Sequence, residues 1–158
     1  MTPARLIVGP DGLQRLILDP AQPDRIPTVT VVGTTAAERE RAAAIGAIAR
    51  QEFAAYWRGE CRQWSVPAAP QGTAFQQAVW AAIARVPYGT TVTYGTLAAM
   101  IGRPTAVRAV ANACGKNPLP IRIPCHRIVA RHGSGGYTGG LPLKLRLWAL
   151  ERITWPNA

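Results

Sequence analysis

Short apolar runs separated by turn formers open the chain. Arg5–Gly9 and Leu13–Asp19 flank Pro10-Asp11-Gly12, a hairpin pattern, and Ile26–Val32 adds a third run whose Pro27 suits an edge or a strand start. The period then changes. Across 36–57, Ala42, Ile45, Ile48, Phe53, Tyr56 and Trp57 recur at helical spacing, and Gly59 is a natural stop. Pro67-Ala68-Ala69-Pro70-Gln71-Gly72 breaks every periodicity and reads as a linker.

Beyond it the pattern is helical again. Thr73 caps a helix with Phe75, Val79 and Ile83 on one face, Trp80 and Ala84 beside them, and Pro87 at its end. Thr93 caps a short helix, Tyr94–Met100, that turns Leu97, Ala98 and Ile101 inward. Gly102-Arg103-Pro104 makes a turn, and Thr105 caps a second helix, Ala106–Cys114, closed by Gly115. Ala106, Ala109 and Ala113 give this helix a small face. Two short helices joined by a tight glycine-containing turn are the helix-turn-helix arrangement, whose second helix enters a DNA groove; short helix pairs in bundles share the pattern.

Pro118, Pro120 and Pro124 fix φ and remove N–H donors, so the chain up to Cys125-His126-Arg127-Ile128-Val129 is expected to be a rigid extended loop. Cys125 beside His126 and Arg127 would lie among groups that favour its thiolate, the nucleophilic form. A buried packing cysteine is the alternative. Residues 131–140 hold five glycines, a loop whose backbone can approach a ligand, with Tyr137 as a wall. A final helix begins near Pro142 and runs towards Arg152, with Leu143, Leu147 and Leu150 facing the core. Glu151 then stands at the helix C-terminus, where the macrodipole disfavours an anion, so it needs a partner: Arg127, Arg152 or His126. The expected fold is α+β: a sheet-plus-helix domain over 1–66, a linker over 67–72 and a helical winged helix-turn-helix-like domain over 73–158.

Charge sharpens this picture. Residues 1–60 hold seven arginines and seven acids, whereas residues 61–150 hold eight arginines, two lysines and no acid, so the whole net charge of +10 falls in the later chain. A carboxylate-free stretch with a patterned core reads as a surface for a polyanion, most simply nucleic acid. Cys61, Cys114 and Cys125 lack CxxC spacing and have only His126 and His132 as possible co-ligands, so neither a metal site nor a disulfide framework is expected. With no run of eighteen apolar residues and no basic-then-apolar leader, the expected location is the cytoplasm and no membrane is involved.

Pro124-Cys125-His126-Arg127-Ile128-Val129 and Gly136-Tyr137-Thr138-Gly139-Gly140, preceded by Val86-Pro87-Tyr88-Gly89, Arg108-Ala109-Val110 and Gly115-Lys116-Asn117-Pro118, closely resemble the O6-alkylguanine-DNA alkyltransferases over about residues 72 to 151. The resemblance implies direct-reversal repair: a single, irreversible transfer of an alkyl group from guanine O6, or thymine O4, in duplex DNA to Cys125 after base flipping, with no cofactor. It implies Cys125 as acceptor, His126 as water-relayed base, Glu151 as the carboxylate orienting it and Asn117 as holder of the loop and water. Tyr94 would contact the base, Arg108 would fill the vacated stack, and Tyr137, Thr138 and the Ile128 carbonyl would line the pocket. Thr93, Arg103, Thr105, Ala106 and Lys116 are the expected DNA contacts, in the minor groove and by a monomer, with cooperative binding open. The sequence departs from the family's pattern at Ala111, where glycine is common, at the second thiol Cys114, and in a glycine loop one residue shorter than in some relatives, which bears on pocket width. A lesion-sensing DNA module and a cysteine hydrolase are the rival classes; strand alternation would turn adjacent Cys125 and His126 apart, which suits a relayed base better than a direct pair.

Overall fold

β1 (Arg5–Gly9) and β2 (Gly12–Ile17) pair antiparallel through the tight turn that Gly12 closes, and β3 (Thr28–Val31) pairs parallel with β1, giving the order β2-β1-β3. The structure is a computed structural model that describes residues 3–154. It divides into two units, Met1–Gln71 and Gly72–Ala158.

In the first unit α1 (Ala36–Trp57) starts at a capping box in which Thr35 and Glu38 satisfy each other's backbone N–H groups, a device worth about 1 kcal/mol. Its buried stripe is Ala42, Gly46, Ala49, Phe53 and Tyr56. Gly46 lets the helix lie close on the sheet: a Cβ there would stand 2.7 Å from a Val29 methyl. Ile48, expected on the inner face, is 45% exposed, because the contact line runs through Gly46 and Ala49 on to Phe53 and Tyr56 and passes it by. Residues 67–69 are no free linker, since Leu13 N donates to Pro67 O and Ala69 N to Leu13 O, which seats them along β2.

The second unit is built on α2 (Ala74–Ala84), α3 (Tyr94–Met100), α4 (Val107–Gly115) and α5 (Leu141–Glu151). α2 begins at a Thr73–Gln76 capping box, buries Val79, Trp80, Ala82 and Ile83, and is tied to α4 by Trp80 Nε1 donating to Ala113 O at 3.0 Å. Ala84 is exposed rather than beside that stripe. α3 and α4 form the helix-turn-helix, with Gly102 at φ 73° in the turn. Thr93 caps α3 as expected, but Thr105 does not cap α4: Ala106 is the N-cap and no side chain bonds there. α4 turns Val110, Ala113 and Cys114 inward and leaves Val107, Arg108 and Ala109 exposed, so its alanines do not share one face.

Two strands of two residues, β4 (Val92–Thr93) and β5 (Ile128–Val129), pair in parallel and had no signature in the sequence. They fix the site, because Thr93 opposite Val129 brings the start of α3 beside the cysteine segment. Among the described residues no helix is long and apolar enough to cross a membrane.

Candidate active site

The cysteine segment is not extended throughout. Pro124 adopts φ −80°, ψ 65°, Cys125 N bonds back to Ile123 O at 2.8 Å, and Cys125–Arg127 form one turn of 3₁₀ helix. The prolines forbid a helix before them, yet proline is tolerated ahead of a helical first turn, which is where Pro124 sits. Upstream, Ile121 holds φ 73°, a costly conformation for a β-branched side chain, while 1% exposed and bracketed by an Arg122 N to Pro120 O bond.

Asn117, just past α4, organises this loop. Its Oδ1 accepts from Leu119 N at 2.9 Å, while Nδ2 donates to Ile123 O at 2.7 Å and reaches Cys125 Sγ at 3.1 Å. Cys125 keeps 9% of its surface exposed. Burial pushes its thiol up, and the Asn117 amide and the Lys144 cation pull it partly back. The expectation that His126 and Arg127 favour the thiolate is therefore corrected: both of those side chains are engaged elsewhere.

They meet Glu151. The 3₁₀ turn brings both side chains to the C-terminus of α5, where His126 Nε2 contacts Glu151 Oε2, and Arg127 Nε and Nη2 reach Oε1 at 2.8 and 2.7 Å. Gly89 N donates to the same Oε1 at 3.2 Å. Of the three candidate partners of Glu151, two are used; Arg152 leaves the helix in a left-handed conformation at φ 58°. Burial raises Glu151, but the His126 hydrogen bond and charge and the Arg127 guanidinium outweigh it and hold the carboxyl at about 2. His126, 0% exposed, is lowered, because burial with the Arg127 and Lys144 cations outweighs the pull of Glu151. The imidazole is thus neutral near pH 7, with Nε2–H given to Glu151 and Nδ1 as the basic nitrogen.

The other expected residues fall into two groups. Tyr94 opens α3 with its ring against the glycine loop, where a Cβ on Gly135 would stand 3.1 Å from its hydroxyl. Burial raises Tyr94, with Cys114 and Cys125 adding to the shift, so it stays a protonated donor. Tyr137 is raised well above its ordinary range for the same first reason, and its buried hydroxyl has no hydrogen-bond partner among the described residues. Thr138 Oγ1 donates to Gly115 O at 2.7 Å, tying the glycine loop to the end of α4. Arg108, Thr105 and Lys116 are exposed along the helix-turn-helix, Ala106 and Thr93 are half-buried, and Arg103 lies 5.8 Å over the Phe75 ring.

Lys144 was missed. It is 0% exposed, and its ammonium donates to Ile128 O, Ser134 O and Gly136 O at 2.8, 2.6 and 3.1 Å, clamping the glycine loop to β5. Burial lowers it to about 8, against the pull of Cys125 and Cys114. Leu143 and Leu150 are only half-buried, and the α5 residues turned inward are Lys144, Leu147, Trp148 and Glu151. The signal was there in part: Lys144, Leu147 and Glu151 stand at helical spacing, and the lysine was the odd member of that stripe. Cys114 is buried, with its thiol pushed up to about 12 by burial and by Cys125, so it is the poorer nucleophile. Among the described residues no cluster of His, Cys, Asp and Glu could hold a metal ion.

A buried cysteine held by the Asn117 amide, a neutral histidine locked to a buried carboxylate and a helix-turn-helix beside them together describe a DNA-directed group-transfer protein. The sequence model of the family described as 6-O-methylguanine DNA methyltransferase, DNA binding domain, matches residues 74–153. The methylated-DNA–protein-cysteine methyltransferase of Methanosarcina acetivorans is 45% identical over 104 residues, 65% of this chain and 67% of the relative. That of Haemophilus influenzae is 47% identical over 108 residues, 67% of this chain and 60% of the relative. Among solved structures, the Mycobacterium tuberculosis OGT–DNA complex superposes with a TM-score of 0.72 at 33% identity, covering 96% of this chain and 93% of that one. The chain belongs to the 6-O-methylguanine DNA methyltransferase family.

Proposed function

We propose that this protein repairs DNA directly, moving a methyl group from O6 of guanine in a duplex to Cys125. The observation that carries the reading is the pairing of Asn117 on Cys125 Sγ at 3.1 Å with a buried, neutral His126 fixed to Glu151, one residue along the chain. Because burial holds the resting thiol protonated, the proton must leave as attack begins. A water passes it to His126 Nδ1, the C–S bond forms as the methyl–O6 bond breaks, and the purine leaves with a proton from Tyr94 that the relay restores. The resulting thioether is a poor leaving group, so each molecule acts once.

The O6 edge lies inside the base stack, so the nucleotide must rotate out, at a few kcal/mol of unstacking. In this reading Arg108, exposed near the start of α4, fills the gap from the minor groove, and the acid-free stretch 61–150 supplies phosphate affinity. The protein acts as a monomer, with Thr93, Arg103, Thr105, Ala106 and Lys116 against the duplex.

Intact-mass measurement after mixing with an O6-methylguanine duplex tests the reading: one methyl adduct per molecule, on Cys125, is expected, and its absence overturns the assignment. Arg108→Ala is expected to slow transfer from duplex about tenfold or more, the equivalent of one to two kcal/mol of lost stack-filling, while sparing transfer from the free O6-alkylguanine base. Equal slowing on both substrates would remove Arg108 from the insertion role.

A further inference from the structure

Val86-Pro87-Tyr88-Gly89 carries no part in the chemistry above, yet it converges on the relay. Val86 O accepts from Arg127 Nη1 at 2.8 Å, the Tyr88 ring lies 5.5 Å beneath the Arg127 guanidinium, Tyr88 Oη donates to Leu150 O at 3.4 Å, and Gly89 N meets Glu151 Oε1 at 3.2 Å. Gly89 holds φ 77°, a conformation suited to glycine, and a Cβ there would stand 3.2 Å from Glu151 O. Arg127 is itself 7% exposed, so its charge is not dissipated by solvent.

Resting on the repair reading, we propose that Arg127, cradled by the Val86–Gly89 turn, is the positioning residue of the relay. It fixes Glu151 by one oxygen so that the other is presented to His126, and it cancels enough of the carboxylate charge to keep His126 an unprotonated base. A carboxylate alone against an imidazole does the opposite: it stabilises the imidazolium, which has no lone pair with which to accept the thiol proton. The shape of the guanidinium matters as well as its charge, because Nε and Nη2 converge on the single oxygen Oε1 at 2.8 and 2.7 Å, a two-donor contact that an ammonium does not reproduce.

Among the described residues the charged groups that bear on His126 include Glu151 and Lys144 from α5 and Arg127 from its own turn. Removing Arg127 leaves Glu151 as the nearest charge and raises the imidazole. The chain has two histidines, and His132 is exposed, so imidazole NMR resolves His126 against an internal reference.

In Arg127→Gln the His126 midpoint is expected to rise by about one pH unit or more, carrying the acid limb of the single-turnover rate upward with it, so that loss of rate is greater at pH 6 than at pH 8. Arg127→Lys keeps the charge and loses the two-donor contact, so its midpoint stays near that of the native protein while the rate falls at every pH. An unmoved His126 midpoint in folded Arg127→Gln, or a rate loss independent of pH, overturns the proposal. Should Arg127→Gln not fold, the native protein decides: the Arg127 Nε–H resonance must follow the His126 titration, and one that ignores it overturns the proposal equally. These titrations need no DNA. A native protein that shows the coupling yet takes no methyl would sink the repair reading instead.

Discussion

Cys125→Ser takes no methyl group from an O6-methylguanine duplex while still binding it. Serine fits the same space and can still accept the Asn117 amide, so the loop from Asn117 to Arg127 keeps its shape. What changes is the nucleophile. A neutral imidazole can draw a proton from a thiol far more readily than from an alcohol, and the thiolate attacks saturated carbon far better than an alkoxide. The loss is therefore complete on the timescale on which the native protein is consumed. Intact mass gives the readout and a mobility-shift titration the control. A methyl adduct that persists in the variant would have to sit on Cys61 or Cys114. Cys114, buried and with its thiol pushed up to about 12, is the test of whether burial without a base suffices.

That Cys125, His126 and Glu151 stood out in the chain alone follows from how each is marked. Cys125 and His126 follow a proline-fixed loop, and Glu151 is the first acid after ninety residues without one. The helices of the later chain were legible for a similarly local reason: Thr73 and Thr93, read as caps, each bond a backbone N–H three residues on, which a sequence displays directly. Long-range features were not. β4 and β5 are two residues each and pair across more than thirty positions, too short to show a period. Lys144 looks like any surface lysine until the glycine loop supplies three carbonyls to its ammonium. Thr105 illustrates the reverse: a good capping residue one position too early, displaced because Ala106 already closes the turn through its N–H to Arg103 O.

The same logic makes Glu151 the residue whose loss is felt twice. Glu151→Gln preserves shape but removes the anion that faces both His126 and Arg127, leaving a buried guanidinium without its counter-charge. Stranding one member of a buried ion pair typically costs about 3–5 kcal/mol. The relay suffers separately, since the amide can donate to Nε2 and reverse the imidazole tautomer, and losing a positioned base slows transfer by about 10²–10⁴-fold. The pH dependence separates this from general damage. Glu151 lies at about 2 in the folded protein against an ordinary 4.5, so its folded value is depressed. Its contribution to stability is fully present above pH 4.5 and is lost as pH falls towards 2, amounting to roughly 3 kcal/mol at about 1.4 kcal/mol per pH unit. Urea unfolding of both proteins at pH 7 and pH 3 should therefore show a gap that narrows in acid. Native protein and variant losing stability in parallel over that range would mean that the carboxylate is not held by Arg127 and His126 in solution, and that the relay is ordered by something other than these contacts.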